Sequence, residues 1–174
     1  MKRILVIGPG GAGKSALARK LGELLKIEVL HLDSFYWRPG WIEMPKGEWL
    51  QTVQALLGRD AWIMDGNYSG TLELRLKACD TVIFLDLRPT LCIWRVVKRA
   101  FQYRNRNRPD MPEGCHERVT LDFVLWIWNY SRRTKPKVVK LLSFAPDKKI
   151  VWLRSRAEVQ RFLALAEAAS MTKS

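Results

Sequence analysis

Gly8-Pro9-Gly10-Gly11-Ala12-Gly13-Lys14-Ser15 is the stretch that decides the architecture. It fits Gly-x4-Gly-Lys-Ser/Thr, follows the apolar run Ile4-Leu5-Val6-Ile7 and opens a helical pattern, the strand–loop–helix setting that gives this motif its meaning. Glycines let the backbone curl until successive N–H groups point inward at phosphate oxygens, and the helix behind aims its positive dipole end at the same anion. Gly8, Gly10, Gly11, Ala12, Gly13, Lys14, Ser15 and Ala16 are therefore expected to cradle a nucleoside triphosphate, taken as ATP. Lys14 would reach the β and γ phosphates, and the Ser15 hydroxyl would take a place on Mg²⁺. A glycine-rich turn without a ligand is the plain alternative.

Outward from this loop, strand-length apolar runs recur at 4–7, 27–32, 61–64, 81–85 and 150–153. Helical patterns fill the intervals at 15–26, 46–57, 69–78, 90–103, 117–142 (broken near 131–136) and 155–168. That alternation predicts an α/β fold, a parallel sheet covered by helices. With 174 residues, 48% hydrophobic and 27% charged, the chain reads as one domain over 1–174 that can bury a core without disulfide or metal staples. Cys79, Cys92 and Cys115 are odd in number and form no Cys-x-x-Cys. The longest apolar run, 123–128, is far short of a membrane span, and 4–7 is too short for a secretory core, so the cytoplasm is the expected location and no membrane partner is expected.

What could receive a phosphoryl group is read from the strand ends, because ligands of open α/β sheets sit beyond the carboxyl ends of the strands. Asp33, Asp65 and Asp86 stand there. Metal-bridged transfer to an alcohol needs a carboxylate near Mg²⁺ and another at the hydroxyl. Asp65 is assigned to the water shell of Mg²⁺, beside Ser15, and Asp33 to the acceptor; a strand-end Asp can equally cap the next turn. The segment 33–45 carries Trp37, Arg38 and Trp41 around Pro39-Gly40, which forbids a regular helix. Trp37 and Trp41 could wall an acceptor pocket with Arg38 as a handle for an anion, and Asn67 could add an amide. The same rings could instead plug the gap between sheet and helix.

The net charge of +13 is concentrated at 88–140, which holds 13 basic and 4 acidic side chains. Arg95, Lys98, Arg99 and Gln102 share one helix side, and Arg104, Arg106 and Arg108 follow. This predicts a basic helical lid over about 99–133 that closes arginines on the phosphates, Arg99 and Arg104 first, then Arg132 and Arg133 from the far side. His31 and His116 lack a ligand constellation, and Trp94, Trp126, Trp128 and Trp152 fall on patterns that place them in or near the core.

With these residues assembled, the sequence resembles the adenylate-kinase-related branch of P-loop kinases, and more closely the small bacterial DNA topology modulation proteins. The closer likeness rests on 8–15, His31-Leu32-Asp33 with Trp37 and Pro39-Gly40-Trp41, Asp65-Gly66-Asn67-Tyr68, Arg108-Pro109-Asp110-Met111, and Trp126-Ile127-Trp128-Asn129-Tyr130 with Arg132-Arg133. The wider resemblance implies a three-layer α/β/α P-loop NTPase with a five-stranded parallel sheet in the order 2-3-1-4-5 and a lid after the fourth strand. Asp65-Gly66 is similar to the Asp-Gly of nucleoside monophosphate kinases, but Asn67-Tyr68-Ser69 stands where those carry Phe-Pro-Arg, so the acceptor-phosphate arginine is missing unless Arg75 or Arg38 replaces it. Asp33-Ser34-Phe35-Tyr36 resembles a uridine kinase stretch whose Asp activates a sugar hydroxyl. The expected activity is an ATP- and Mg²⁺-dependent phosphotransferase acting on a nucleoside- or nucleotide-like or other hydroxyl acceptor; the alternative is a nucleotide-dependent, DNA-associated ATPase or switch affecting DNA topology.

Overall fold

The computed structural model describes residues 1–104, 111–115 and 118–171. In chain order they form β1 (Arg3–Ile7), α1 (Lys14–Leu25), β2 (Val29–His31), α2 (Leu32–Tyr36), β3 (Trp37–Arg38), β4 (Ile42–Glu43), α3 (Lys46–Leu57), β5 (Trp62–Asp65), α4 (Ser69–Ala78), β6 (Thr81–Leu85), α5 (Pro89–Gln102), α6 (Leu121–Arg133), α7 (Lys135–Ser143), β7 (Lys149–Leu153) and α8 (Arg156–Met171). Arg106, Arg108, Pro109, Asp110 and His116 lie outside the described residues.

β2-β5-β1-β6-β7 is one five-stranded sheet with every pairing parallel. Numbered among themselves in chain order, its strands run 2-3-1-4-5, the expected order. Successive side chains leave a strand on opposite faces, and β1 shows the result: Leu5 and Ile7 enter one apolar cluster, Ile4 and Val6 the other. Trp49 and Val53 of α3, Leu72 and Leu76 of α4, and Val138 and Leu142 of α7 close the first cluster. Leu17 and Leu21 of α1, Cys92 and Val96 of α5, and Ala166 of α8 close the second. The sheet is thus buried on both sides, which is why its strands read as unbroken apolar runs.

Local chemistry sets the borders. Lys26 takes a left-handed conformation (φ 54°) that stops α1, so β2 begins at Val29 rather than at 27. α6 starts at Leu121, not at 117, because the Thr120 hydroxyl accepts the Phe123 N–H at 3.3 Å and caps it. Pro136, near the start of α7, fits the break after Arg133. At α8, Ser155 Oγ accepts from the Glu158 N–H at 3.2 Å while Glu158 reaches back to the Arg154 N–H at 2.8 Å. The stretch read as a loop at 33–45 is a single helical turn, α2, followed by the antiparallel ribbon β3–β4. Trp94 and Trp128, expected near the core, face solvent at 58% and 53% exposure. No helix among the described residues is long and apolar enough to cross a membrane.

Candidate active site

β1 ends at the centre of the sheet, so the loop that follows it emerges between β5 and β6. Gly11 lies at φ 76°, and a Cβ there would run into the Cys92 carbonyl oxygen; a Cβ on Gly10 would stand 2.6 Å from Phe123 Cζ. The loop is thus pressed onto α5 and α6, a closeness that only glycine permits. Lys14 Nζ donates to the Pro9 carbonyl at 3.0 Å. Burial pulls the Lys14 pKa below its ordinary 10.5, with Asp33 and Asp65 acting against it. Arg95 reaches over from α5 and donates to the Ala12 carbonyl at 3.2 Å.

Parallel register sets His31, Asp65 and Val6 side by side across β2, β5 and β1. Asp65 is buried, and an N–H at His31 Nδ1, 2.6 Å from its Oδ1, donates to the carboxylate. Asp33 sits in the first turn of α2, and the Tyr68 hydroxyl donates to its Oδ1 at 2.6 Å. Burial and the neighbouring Asp33 charge push the Tyr68 phenol upward, so it stays a proton donor. Between these carboxylates Asn67 clasps Gly8: its Oδ1 accepts the Gly8 N–H at 3.1 Å and its Nδ2 donates to the Gly8 carbonyl at 2.6 Å.

A cavity of about 760 Å³ joins the two ends, bounded by Lys14 and Ser15, by Asp33 and Asp65, and by a wall of aromatic rings. Its far side is a chain of edge-on ring contacts, Trp41 to Trp37 at 5.2 Å and Trp37 to Tyr36 at 5.1 Å, continued to Tyr68 at 4.6 Å. Glu43 lines the same end and accepts from the Tyr36 hydroxyl at 3.0 Å. Opposite stand Phe123 and Trp126 of α6, stacked at 5.8 Å. Residues after the fourth sheet strand touch the ribbon directly: Gly40 N–H donates to the Gly114 carbonyl at 3.2 Å, Cys115 Sγ to the Arg38 carbonyl at 3.3 Å, and the Arg118 guanidinium lies 4.9 Å over the Trp41 ring.

Of the residues expected from sequence, Gly10, Gly11, Gly13, Lys14, Ser15, Ala16, Asp33, Trp37, Trp41, Asp65, Asn67 and Arg99 line this one cavity. Gly8 and Ala12 stand behind its wall, their backbone held by Asn67 and Arg95. Arg38 is a correction: it is exposed outside the cavity and pairs with Glu48, because β3 alternates and Trp37 takes the inward side. Arg104, Arg132 and Arg133 are exposed and away from the cavity, the latter two because the inward side of α6 belongs to Ile127 and Tyr130. Arg75 is fully buried on backbone carbonyls. Asp86 serves the fold, accepting from Lys135 at 2.7 Å and from Trp152 Nε1 at 3.0 Å. Sequence reading assigned no site role to His31, Glu43, Tyr68, Arg118 or Trp126; His31, Tyr68 and Trp126 lay inside quoted motifs, but nothing local marks Arg118.

The donor set suits a magnesium-bound triphosphate. The loop amides have no Cβ screening them at Gly10, Gly11 and Gly13, and Ser15 with Asp65 offers hard oxygen donors. Among the described residues no three His, Cys, Asp or Glu side chains gather into a cage of their own.

No family model matches the sequence, and no curated protein matches it. Solved structures do match the fold. Shikimate kinase from Acinetobacter baumannii, in complex with shikimate, aligns at TM-score 0.60 and 19% identity over 100% of this chain and 95% of that one. Shikimate kinase from Bacteroides thetaiotaomicron aligns at TM-score 0.54 and 12% identity over 97% of each chain. A gluconokinase from Sinorhizobium meliloti 1021 aligns at TM-score 0.54 and 13% identity over 98% of this chain and 92% of that one. The three-layer α/β fold is the one these solved structures share.

Proposed function

We propose that this P-loop fold is an ATP- and Mg²⁺-dependent phosphotransferase that phosphorylates a hydroxyl of a small molecule, and that its basic segment at about 99–133 acts as a lid. The carrying observation is that Lys14, Asp65 and Asp33 face one cavity whose far end is aromatic. Mg²⁺ held by Ser15 and the water shell of Asp65 would screen the phosphate charge. In this reading Lys14, Arg95 and Arg99 neutralise the oxygens of the transferring group. Asp33 takes the acceptor's hydroxyl proton, with Tyr68 orienting the carboxylate, and the rings of Trp37, Trp41 and Trp126 keep water out of the transfer.

The acceptor is an alcohol without a phosphate of its own. Arg38 and Arg75, the replacements the sequence offered for the acceptor-phosphate arginine, are bound elsewhere; Arg118 lines that end but lies over the Trp41 ring, and Asp33 and Glu43 beside it repel a dianion. The rings suit a flat molecule such as a nucleoside. The motif likeness to DNA topology modulation proteins supports this lineage, and the solved shikimate kinases and gluconokinase lend support as kinases by name.

Incubation with γ-labelled ATP and a panel of nucleosides, nucleoside monophosphates, carboxylated polyols and amino alcohols tests the proposal. Label is expected on a non-phosphorylated alcohol, faster than release of free phosphate. Hydrolysis alone with every acceptor, or stimulation only by DNA, would overturn it.

A further inference from the structure

Arg75 lies in α4 and is wholly buried, where an apolar side chain would be the cheaper filling. Its Nη1 donates to the Gly66 carbonyl at 3.0 Å, and its Nη2 donates to the Asn67 carbonyl and, at 2.9 Å, to the Tyr68 carbonyl. Its Nε has no partner among the described residues. Filling the space does not explain this arrangement; gathering three consecutive carbonyls on one planar fork does, and lysine cannot reproduce it. The gathered backbone is unusual, with Gly66 at φ 138° and Tyr68 at φ 31°, a left-handed position that a tyrosine rarely takes unless its surroundings impose it. Each gathered residue faces a different part of the cavity. Asp65 precedes them, Asn67 holds both backbone atoms of Gly8, and the Tyr68 hydroxyl holds Asp33.

We infer that Arg75 is a positioning residue that ties the phosphate loop to the acceptor carboxylate, through Asn67 on one side and Tyr68 on the other. The inference rests on the proposed kinase reading for what the two ends do, but not for the linkage itself. The guanidinium itself is wholly buried and does not line the cavity. Because one fork fixes the backbone of both arms, displacing it shifts Gly8 and Asp33 together, and a shift of about 1 Å at such sites costs on the order of 100-fold in turnover.

Hydrogen exchange followed by mass spectrometry reads the linkage without an acceptor. Losing the fork should speed exchange about 10-fold in the segments 6–10 and 32–37, the worth of about one hydrogen bond each, and leave β7 within about two-fold. Arg75→Met and Arg75→Lys should behave alike, since the ammonium keeps the charge but not the fork. Asn67→Ala should speed only 6–10, and Tyr68→Phe only 32–37. Calorimetry with ADP and Mg²⁺ should show Kd raised about 10-fold by Arg75→Lys and by Asn67→Ala, and unchanged by Tyr68→Phe. If Arg75→Met does not fold, Arg75→Lys carries the test. Arg75→Lys accelerating one segment alone, neither, or β7 equally would overturn the linkage. A wild-type protein that does not bind ADP yet shows the paired acceleration in its variants supports the linkage and overturns the kinase reading instead.

Discussion

The two ends of the cavity are built in opposite ways. In the proposed function the phosphate end comes from eight consecutive residues whose backbone would do most of the binding, on a loop pressed onto α5 and α6. The acceptor end comes from side chains of α2, the β3–β4 ribbon, the residues after β5, the segment around Arg118 and α6. A backbone site tolerates drift in its surroundings because any residue supplies an N–H. A side-chain site changes ligand with each substitution, so one phosphate cradle can serve many acceptors.

The sharpest test of this division is at the cradle's charge. Lys14→Met should lower transfer by about 10³-fold or more, measured with labelled ATP, since it removes the cation nearest the transferring group. The same change should raise Tm. Burial lowers the folded lysine's pKa below 10.5, so the folded state holds its proton less tightly than the unfolded chain does and the charge weakens the fold at neutral pH. The variant's advantage should be full below the folded pKa and vanish as pH rises past 10.5, checked by thermal melts of both proteins across that range.

At the other end, Asp33→Asn should reduce kcat by about 10²–10³-fold and leave ADP affinity unchanged by calorimetry, separating chemistry from cradle. Equal loss of both would merge the two ends into one unit. Trp37→Ala should raise the acceptor KM by up to about 10-fold and spare the ATP KM in steady-state kinetics, the scale of one lost ring contact. Smallest of all, Arg38→Ala and Arg132→Ala should leave both constants within about two-fold, because exposed charges outside the cavity contribute little. A larger effect of Arg38→Ala would return that side chain to the acceptor site.

Which residues could be read in advance follows the same division. The cradle, the strand-end position of Asp33 and Asp65, and α3, α4 and β6 to the residue all express local pattern: a glycine spacing, a strand ending, a 3.6-residue period. Arg38 and Trp37 are neighbours with equally good claims, and only the pairing of β3 with β4 turns one inward and the other out to Glu48. Arg132 and Arg133 lie outside the cavity for a similar reason, since the buried side of α6 belongs to Ile127 and Tyr130. His31 lay in a quoted motif without a role; the parallel register of β2 on β5 brings it to Asp65.

The layer order, the glycine-rich turn after β1 and the carboxylates beyond the strand ends were legible from the chain alone, because each depends on residues adjacent in it or on a period along it. Only the packing of distant segments brought Asn67 onto Gly8, buried Arg75 against three carbonyls and carried Arg118 across to Trp41. Those outcomes join segments as far as 77 residues apart, and the packing of the sheet and its helices brings them together.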